Sequence, residues 1–288
     1  MPNAEDPENG PVNSGAAPRG LPLYREWHGP RGTPVLLVHG YSTHRYTWRH
    51  WIPVLEENHR VLAVDLKGAG DSPKPRDEGY GPLEQSRLLH RLIVEQNLMD
   101  LTLVGHSLGG GIALLTALRL QEEEPSRLGR LVLVAGAAYP QSLPLFIALA
   151  ARPWLGPLLL KAIPASFVIR AGLRRAYHSP EKITPQQVEA YARPLRTADG
   201  RRALSMIARR MVPPNLEELT ERYGDLDVPT LLLWGRQDTI VPLRVGQRLQ
   251  RDLPRSRLEI LEGCGHMPQE ELPAESLEIF RSFLDSGG

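Results

Sequence analysis

Hydrophobic positions along this chain fall into two kinds of pattern. Short apolar runs recur at Val35-Leu36-Leu37-Val38, Val61-Leu62-Ala63-Val64, Leu101-Thr102-Leu103-Val104 and Leu131-Val132-Leu133-Val134. Two more follow near the end, Pro229-Thr230-Leu231-Leu232-Leu233-Trp234 and Leu258-Glu259-Ile260-Leu261. Runs of this length that are apolar on both faces suit buried parallel strands, and the last run, with Glu259 in it, reads as one more strand. Leu21 to His28 predicts a further strand at an edge. Between the strands the period changes to that of a helix. Leu88, Leu89, Leu92 and Ile93 mark an amphipathic helix from Pro82 to Gln96, Leu277, Phe280, Phe283 and Leu284 mark another, and Trp48, Trp51 and Leu55 share one helical face. Strand and helix thus alternate, and right-handed crossovers predict a mostly parallel central sheet with helices on both faces.

Beyond Gly136 the alternation stops. From about Ala137 to Asp225 no comparable strand occurs, and Thr184-Pro185-Gln186-Gln187 reads as a helix start with proline at its first position and a capping-box glutamine. The segment reads as a helical insertion. Because it leaves the sheet at the carboxyl end of a strand, its most economical place is above that edge, as a lid. The predicted organisation is a disordered tail over 1–20, a core built from 21–136 and 226–288, and a helical cap over 137–225. The tail is rich in Pro, Gly, Asn and Ala, with no apolar stretch and no basic leader, and reads as disordered rather than as a signal peptide.

Composition changes this picture little. At 288 residues the chain buries one large domain. Thirty-four basic residues against 33 acidic ones leave a net charge of +1, and the arginines are scattered, which excludes a nucleic-acid footprint. No run is long enough to span a bilayer; the most apolar segment, Leu143 to Ile169, is broken by Pro144, Pro153, Pro157 and Pro164. A single cysteine, Cys264, rules out an internal disulfide, suits a cytoplasmic location and reads as a small buried thiol.

The chemistry gathers where strands end. Gly105-His106-Ser107-Leu108-Gly109 follows one strand run and opens into a helix pattern. A Gly-x-Ser-x-Gly at such a junction holds the serine in a strained turn, lifts its hydroxyl clear of the sheet and puts the Leu108 amide at a helix N-terminus, half of an oxyanion hole. A phosphate-binding loop would need lysine where Gly111 stands, and no dinucleotide fingerprint is found. His39-Gly40-Tyr41-Ser42 ends an earlier strand run, and the Tyr41 amide is the candidate second donor, with His39 read as a structural residue bonded to loop backbone. Asp65 and Asp71 precede the serine and read as structural. Asp238 in Gly235-Arg236-Gln237-Asp238 and His266 in Gly265-His266 each lie past the end of a later strand, so the chain order is nucleophile, acid, base. Tyr139, Phe146, Trp154 and Phe167 either line an apolar substrate pocket or fill the insertion's own core.

These motifs, in this order, resemble the α/β-hydrolase superfamily, and the likeness covers nearly everything from Leu21 to Leu284. It implies an α/β-hydrolase fold with a helical cap, Ser107 as nucleophile, His266 as general base, Asp238 as the acid that orients it, and the Tyr41 and Leu108 amides as oxyanion donors. Another position the family uses for its acid, after the strand ending at Val134, holds Ala135, Gly136 and Ala137. Relatives that displace halide or open epoxides usually carry aspartate at the elbow, so Ser107 favours acyl chemistry: a carboxylic ester hydrolase acting on a small, apolar ester or lactone through an acyl-enzyme. The alternatives are a macrocyclic lactone hydrolase, a carbon–carbon bond hydrolase, a cofactor-free perhydrolase, an acyltransferase, or a small-ligand receptor on the same fold. None of the hydrolytic readings needs a cofactor or metal, and no closely spaced ligand set appears among the nine histidines.

Overall fold

The computed structural model describes residues 20–153 and 155–286. Nearly all of the expected tail over 1–20, and Trp154, lie outside them. Seven strands form one sheet: β1 (Tyr24–His28), β2 (Pro34–Val38), β3 (Arg60–Asp65), β4 (Leu101–His106), β5 (Leu128–Val134), β6 (Thr230–Gly235) and β7 (Ser256–Leu261). Their order is β1-β3-β2-β4-β5-β6-β7. Only β1 runs antiparallel to its neighbour, and the other pairs are parallel. This is the α/β-hydrolase fold.

Successive side chains on a strand point to opposite faces, so runs that are apolar throughout must be buried twice. Leu36, Val38, Leu103 and Leu133 pack into one layer with Leu89 and Leu92 of helix Pro82–Glu95 and Ile112 of helix Leu108–Glu123. Val35, Leu37, Val104 and Val132 face the other way, onto Trp48, Trp51 and Phe280 of helix Pro273–Asp285. Phe280 stacks on Trp51 with ring centroids 4.9 Å apart.

Two local expectations shift. Trp48, Trp51 and Leu55 do bury one common face, but across a 3₁₀ turn, Arg45–Trp48, and a separate short helix, Ile52–Leu55. Pro53 explains the break: in one continuous helix its ring would clash with the carbonyl of Arg49. Strand β5 starts at Leu128, ahead of its apolar run, because the backbone ladder with Leu101 and Thr102 continues past an irregularity in register. Among the described residues no strand intervenes between β5 and β6. Helices Leu145–Ala150, Leu155–Ala162, Ala165–Ala176, Pro185–Ala192 and Ala198–Arg210 lie in that interval.

The topology decides where a site can form. From β2 the chain passes to the Trp48 face of the sheet, and from neighbouring β4 to the face of helix Leu108–Glu123. Connections that diverge to opposite faces leave a crevice above the carboxyl ends of the two strands, where open α/β sheets bind ligands. His39-Gly40-Tyr41 and Ser107 both emerge there.

Candidate active site

Strand β4 ends at His106 and the chain turns sharply at Ser107, whose φ of 54° and ψ of −120° lie where residues with a side chain rarely go. The turn holds because its amide donates to Val134 O at 2.9 Å while its carbonyl accepts from Gly110 and Ala137, both at 2.9 Å. Gly109 permits it: a Cβ at that position would stand 2.4 Å from His39 O.

Asp238 and His266 reach Ser107 from the ends of β6 and β7. Ser107 Oγ is 2.8 Å from His266 Nε2, and His266 Nδ1 is 2.7 Å from Asp238 Oδ2. A carboxylate only accepts, so the imidazole proton sits on Nδ1, and Nε2 presents its lone pair to the serine hydroxyl. The other oxygen of Asp238 accepts from the amides of Ile240 and Val241 at 2.8 and 2.9 Å. Three donors thus hold a carboxylate that has no solvent exposure. The loops that bear Asp238 and His266 are tied together by Gln237, whose amide donates to Cys264 O at 2.9 Å and whose side-chain oxygen accepts the Cys264 amide at 3.1 Å.

The His39–Ser42 loop lies against the serine, since a Cβ on Gly40 would come within 3.0 Å of Ser107 Cβ. Tyr41 and Leu108 border a small recess of about 30 Å³. Neither backbone N–H has an acceptor among the described residues. His39 has the structural role expected of it. Its Nε2 accepts from the Leu66 amide at 2.9 Å, which leaves Nδ1 to donate to Gly40 O at 2.8 Å, and burial lowers its pKa to about 4. Asp65 and Asp71 are structural too: Asp65 accepts from the Arg45 and Asp71 amides at 2.8 Å, and both carboxylates pair with the Arg45 guanidinium.

Ser107 and His266 form part of the wall of a 290 Å³ cavity, roofed by the helices between β5 and β6. Phe146 and Phe167, for which pocket lining and core packing were both open, line it together with Leu160, Leu173, Tyr191 and Met267. Tyr139 does not. It lies in the core, with its hydroxyl donating to Asp252 at 2.7 Å and its ring edge-on to Tyr223. Its position directly after β5 explains this, because the chain there still runs along the packed helix layer. Among the described residues no Lys, Arg, Asp or Glu lines the cavity.

Three further features escape a reading of the sequence. His106, the residue before the serine, places its Nε2 2.9 Å from His266 O, and burial, then His266 beside it, holds its pKa well below the ordinary histidine value. It therefore donates as a neutral ring and fixes the backbone of His266. Glu270 is the centre of a buried polar cluster. It accepts from Thr47 at 2.7 Å, Gln187 at 2.7 Å and Tyr191 at 2.6 Å, and pairs with Arg49. Glu271 accepts the amides of Gly265 and Ser179, both at 2.7 Å. The two glutamates fasten helix Pro185–Ala192 and the chain around Ser179 to the loop that bears His266. Gln187, expected to close a capping box, spends its side chain on Glu270 and Tyr177 instead, while Thr184 alone caps that helix. Only the proximity of Pro268 and two glutamates to His266 hinted at such a role.

Residues 35–279 match the model of the alpha/beta hydrolase family. The chain is 28% identical over 262 residues to the uncharacterized hydrolase YugF of Bacillus subtilis, covering 91% of this chain and 93% of that protein. It is also 28% identical over 261 residues to a 2-hydroxy-6-oxononadienedioate/2-hydroxy-6-oxononatrienedioate hydrolase of Cupriavidus pinatubonensis, covering 84% and 83%. Among solved structures, a thermophilic esterase from Thermogutta terrifontis superposes with a TM-score of 0.78 at 26% identity, over 94% of this chain and 96% of that one. The chain therefore belongs to the alpha/beta hydrolase family and is an enzyme of that fold.

Proposed function

We propose that the protein is a serine hydrolase that cleaves uncharged esters with an apolar acyl group, with residues 137–225 serving as the cap that forms the acyl pocket. The observation that carries this reading is the Ser107–His266–Asp238 hydrogen-bond line opening into a cavity whose wall is apolar and free of charged side chains. In this reading Ser107 Oγ attacks the ester carbonyl carbon as its proton passes to His266 Nε2, and the Asp238 carboxylate stabilises the imidazolium. The carbonyl oxygen becomes an oxyanion received by the Tyr41 and Leu108 amides. Collapse expels the alcohol, which takes the proton from His266, and leaves an acyl-Ser107. Water activated by the same histidine then releases the acid and restores the hydroxyl.

The cavity wall weighs against chemistry like that of the Cupriavidus relative. That protein's name gives its substrate two carboxylates, and burying them against a wall without a cation costs several kcal/mol for each. The test is hydrolysis of p-nitrophenyl acetate, butyrate, octanoate and palmitate by the wild type and by Ser107→Ala. Turnover is expected to rise from acetate toward octanoate and to drop by about 10⁴-fold or more in the variant, with loss of fluorophosphonate labelling. A variant that kept wild-type rates would defeat the proposal.

A further inference from the structure

Among the described residues, eight large apolar side chains are exposed, and five of them, Leu145, Phe146, Leu155, Leu158 and Phe167, fall in one short stretch of the roof. Leu145, Leu158 and Phe167 are 74%, 61% and 66% exposed. Clustering of this kind marks a docking surface rather than ordinary scatter. Phe146 and Phe167 are at once exposed and part of the cavity wall, so the patch adjoins the Ser107 cavity where that cavity reaches the surface.

Charge identifies what the patch meets. The chain as a whole is balanced, yet from Pro125 to Pro180 it has no acidic residue. The roof helices and the turns between them carry Arg152, Lys161, Arg170, Arg174 and Arg175, all exposed. Among the described residues only Arg175 has a side-chain partner, Thr239. Basic and apolar groups share faces: Leu155, Leu158 and Lys161 follow at three-residue steps on one helix, and Phe167, Arg170 and Arg174 form a stripe on the next. This is how helices that lie in a bilayer interface are built, with apolar side chains among the acyl chains and long basic ones reaching the headgroups. Helices Leu155–Ala162 and Ala165–Ala176 together have the length and apolarity of a membrane span, but they meet at 107°. Among the described residues no single helix is long and apolar enough to cross a membrane.

We infer that this face docks on the surface of an anionic phospholipid bilayer, with the mouth of the Ser107 cavity turned toward the lipid. Docking does not depend on the chemistry proposed for Ser107. A lipophilic ester would then pass from the bilayer into the cavity without crossing water, a consequence that does rest on that reading.

The test is flotation of the full chain with vesicles of phosphatidylcholine alone and of phosphatidylcholine mixed with phosphatidylglycerol. The protein is expected to float with the mixed vesicles, to float poorly with the neutral ones, and to be released by high salt. Ser107→Ala should float like wild type, which separates docking from catalysis. The double variant Leu145→Asp/Leu158→Asp should lose flotation by more than tenfold while still hydrolysing a short water-soluble ester, since neither leucine lines the cavity. Arg170→Gln and Arg174→Gln should each weaken binding to the mixed vesicles by about fivefold. Failure to float with either vesicle, or flotation that the leucine pair leaves unchanged, overturns the inference. Light scattering adds a further outcome: a dimer abolished by Leu158→Asp, without vesicle binding, assigns the patch to a second copy of the chain instead.

Discussion

At the scale of single residues, the site depends on groups left with one free valence for hydrogen bonding. His266 has Nδ1 committed to Asp238 and its amide committed to Ala176 O at 2.7 Å, so only Nε2 is left to act. Ser107 has its amide and carbonyl engaged, so only the hydroxyl is free to move. Cys264, two positions from His266, is the contrasting case. It is buried, and desolvation first, then nearby Glu271, pushes its thiol well above the ordinary value, so no thiolate forms near neutrality. Iodoacetamide at about pH 8 is expected to leave native protein unmodified and to label Cys264 only after denaturation. Mass spectrometry of the two samples decides it; rapid labelling of the folded enzyme would show the thiol to be accessible.

At the scale of elements, the roof and the loop that bears His266 are joined by Glu270. Tyr191 belongs to helix Pro185–Ala192, lines the cavity, and donates to Glu270 at 2.6 Å. Burial, then the Glu270 carboxylate, drives the Tyr191 hydroxyl far above its usual pKa, which keeps it a donor. Tyr191→Phe removes that one bond and little volume. A buried donor lost from a carboxylate costs about 1.5 to 3 kcal/mol, which urea unfolding should register as a lower midpoint with an unchanged slope. A variant as stable as wild type would show that Thr47, Gln187 and Arg49 satisfy Glu270 without it. The same scale explains where reading the sequence succeeded. Strands β2 to β6 were legible because each carries a run that must be buried on both faces, a demand independent of distant partners. The Glu270 cluster was not, because Thr47, Arg49, Gln187 and Tyr191 stand 79 to 223 positions away from it and have no common spacing.

At the scale of the whole molecule, burying histidines couples folding to pH. Burial lowers the folded pKa of His39 from 6.5 to about 4 and that of His106 well below 6.5. Between those values the unfolded chain binds more protons than the native one, so stability rises with pH there. The contribution is complete above about pH 6.5 and fades as pH falls toward 4; for His39 alone it is on the order of 3 kcal/mol. Urea unfolding across this range should show the decline, and His39→Gln, which keeps one donor and one acceptor but does not titrate, should flatten it. An equally steep decline in that variant would assign the effect elsewhere.

The sequence by itself determined the order of strands and helices, the strained turn at Ser107, the positions of Asp238 and His266 past the ends of two later strands, and a helical interval between β5 and β6. Each is a local demand, set by periodicity, by glycine at close approaches, or by what can follow a buried strand. Only the tertiary structure decided that Tyr139 packs in the core while Phe146 and Phe167 reach the cavity, that His106 and Glu270 hold the His266 loop in place, and that among the described residues no charged side chain lines the cavity. Those outcomes depend on which side of a helix meets which neighbour across a fold, and side chains brought together from distant parts of the chain leave no periodic trace in it.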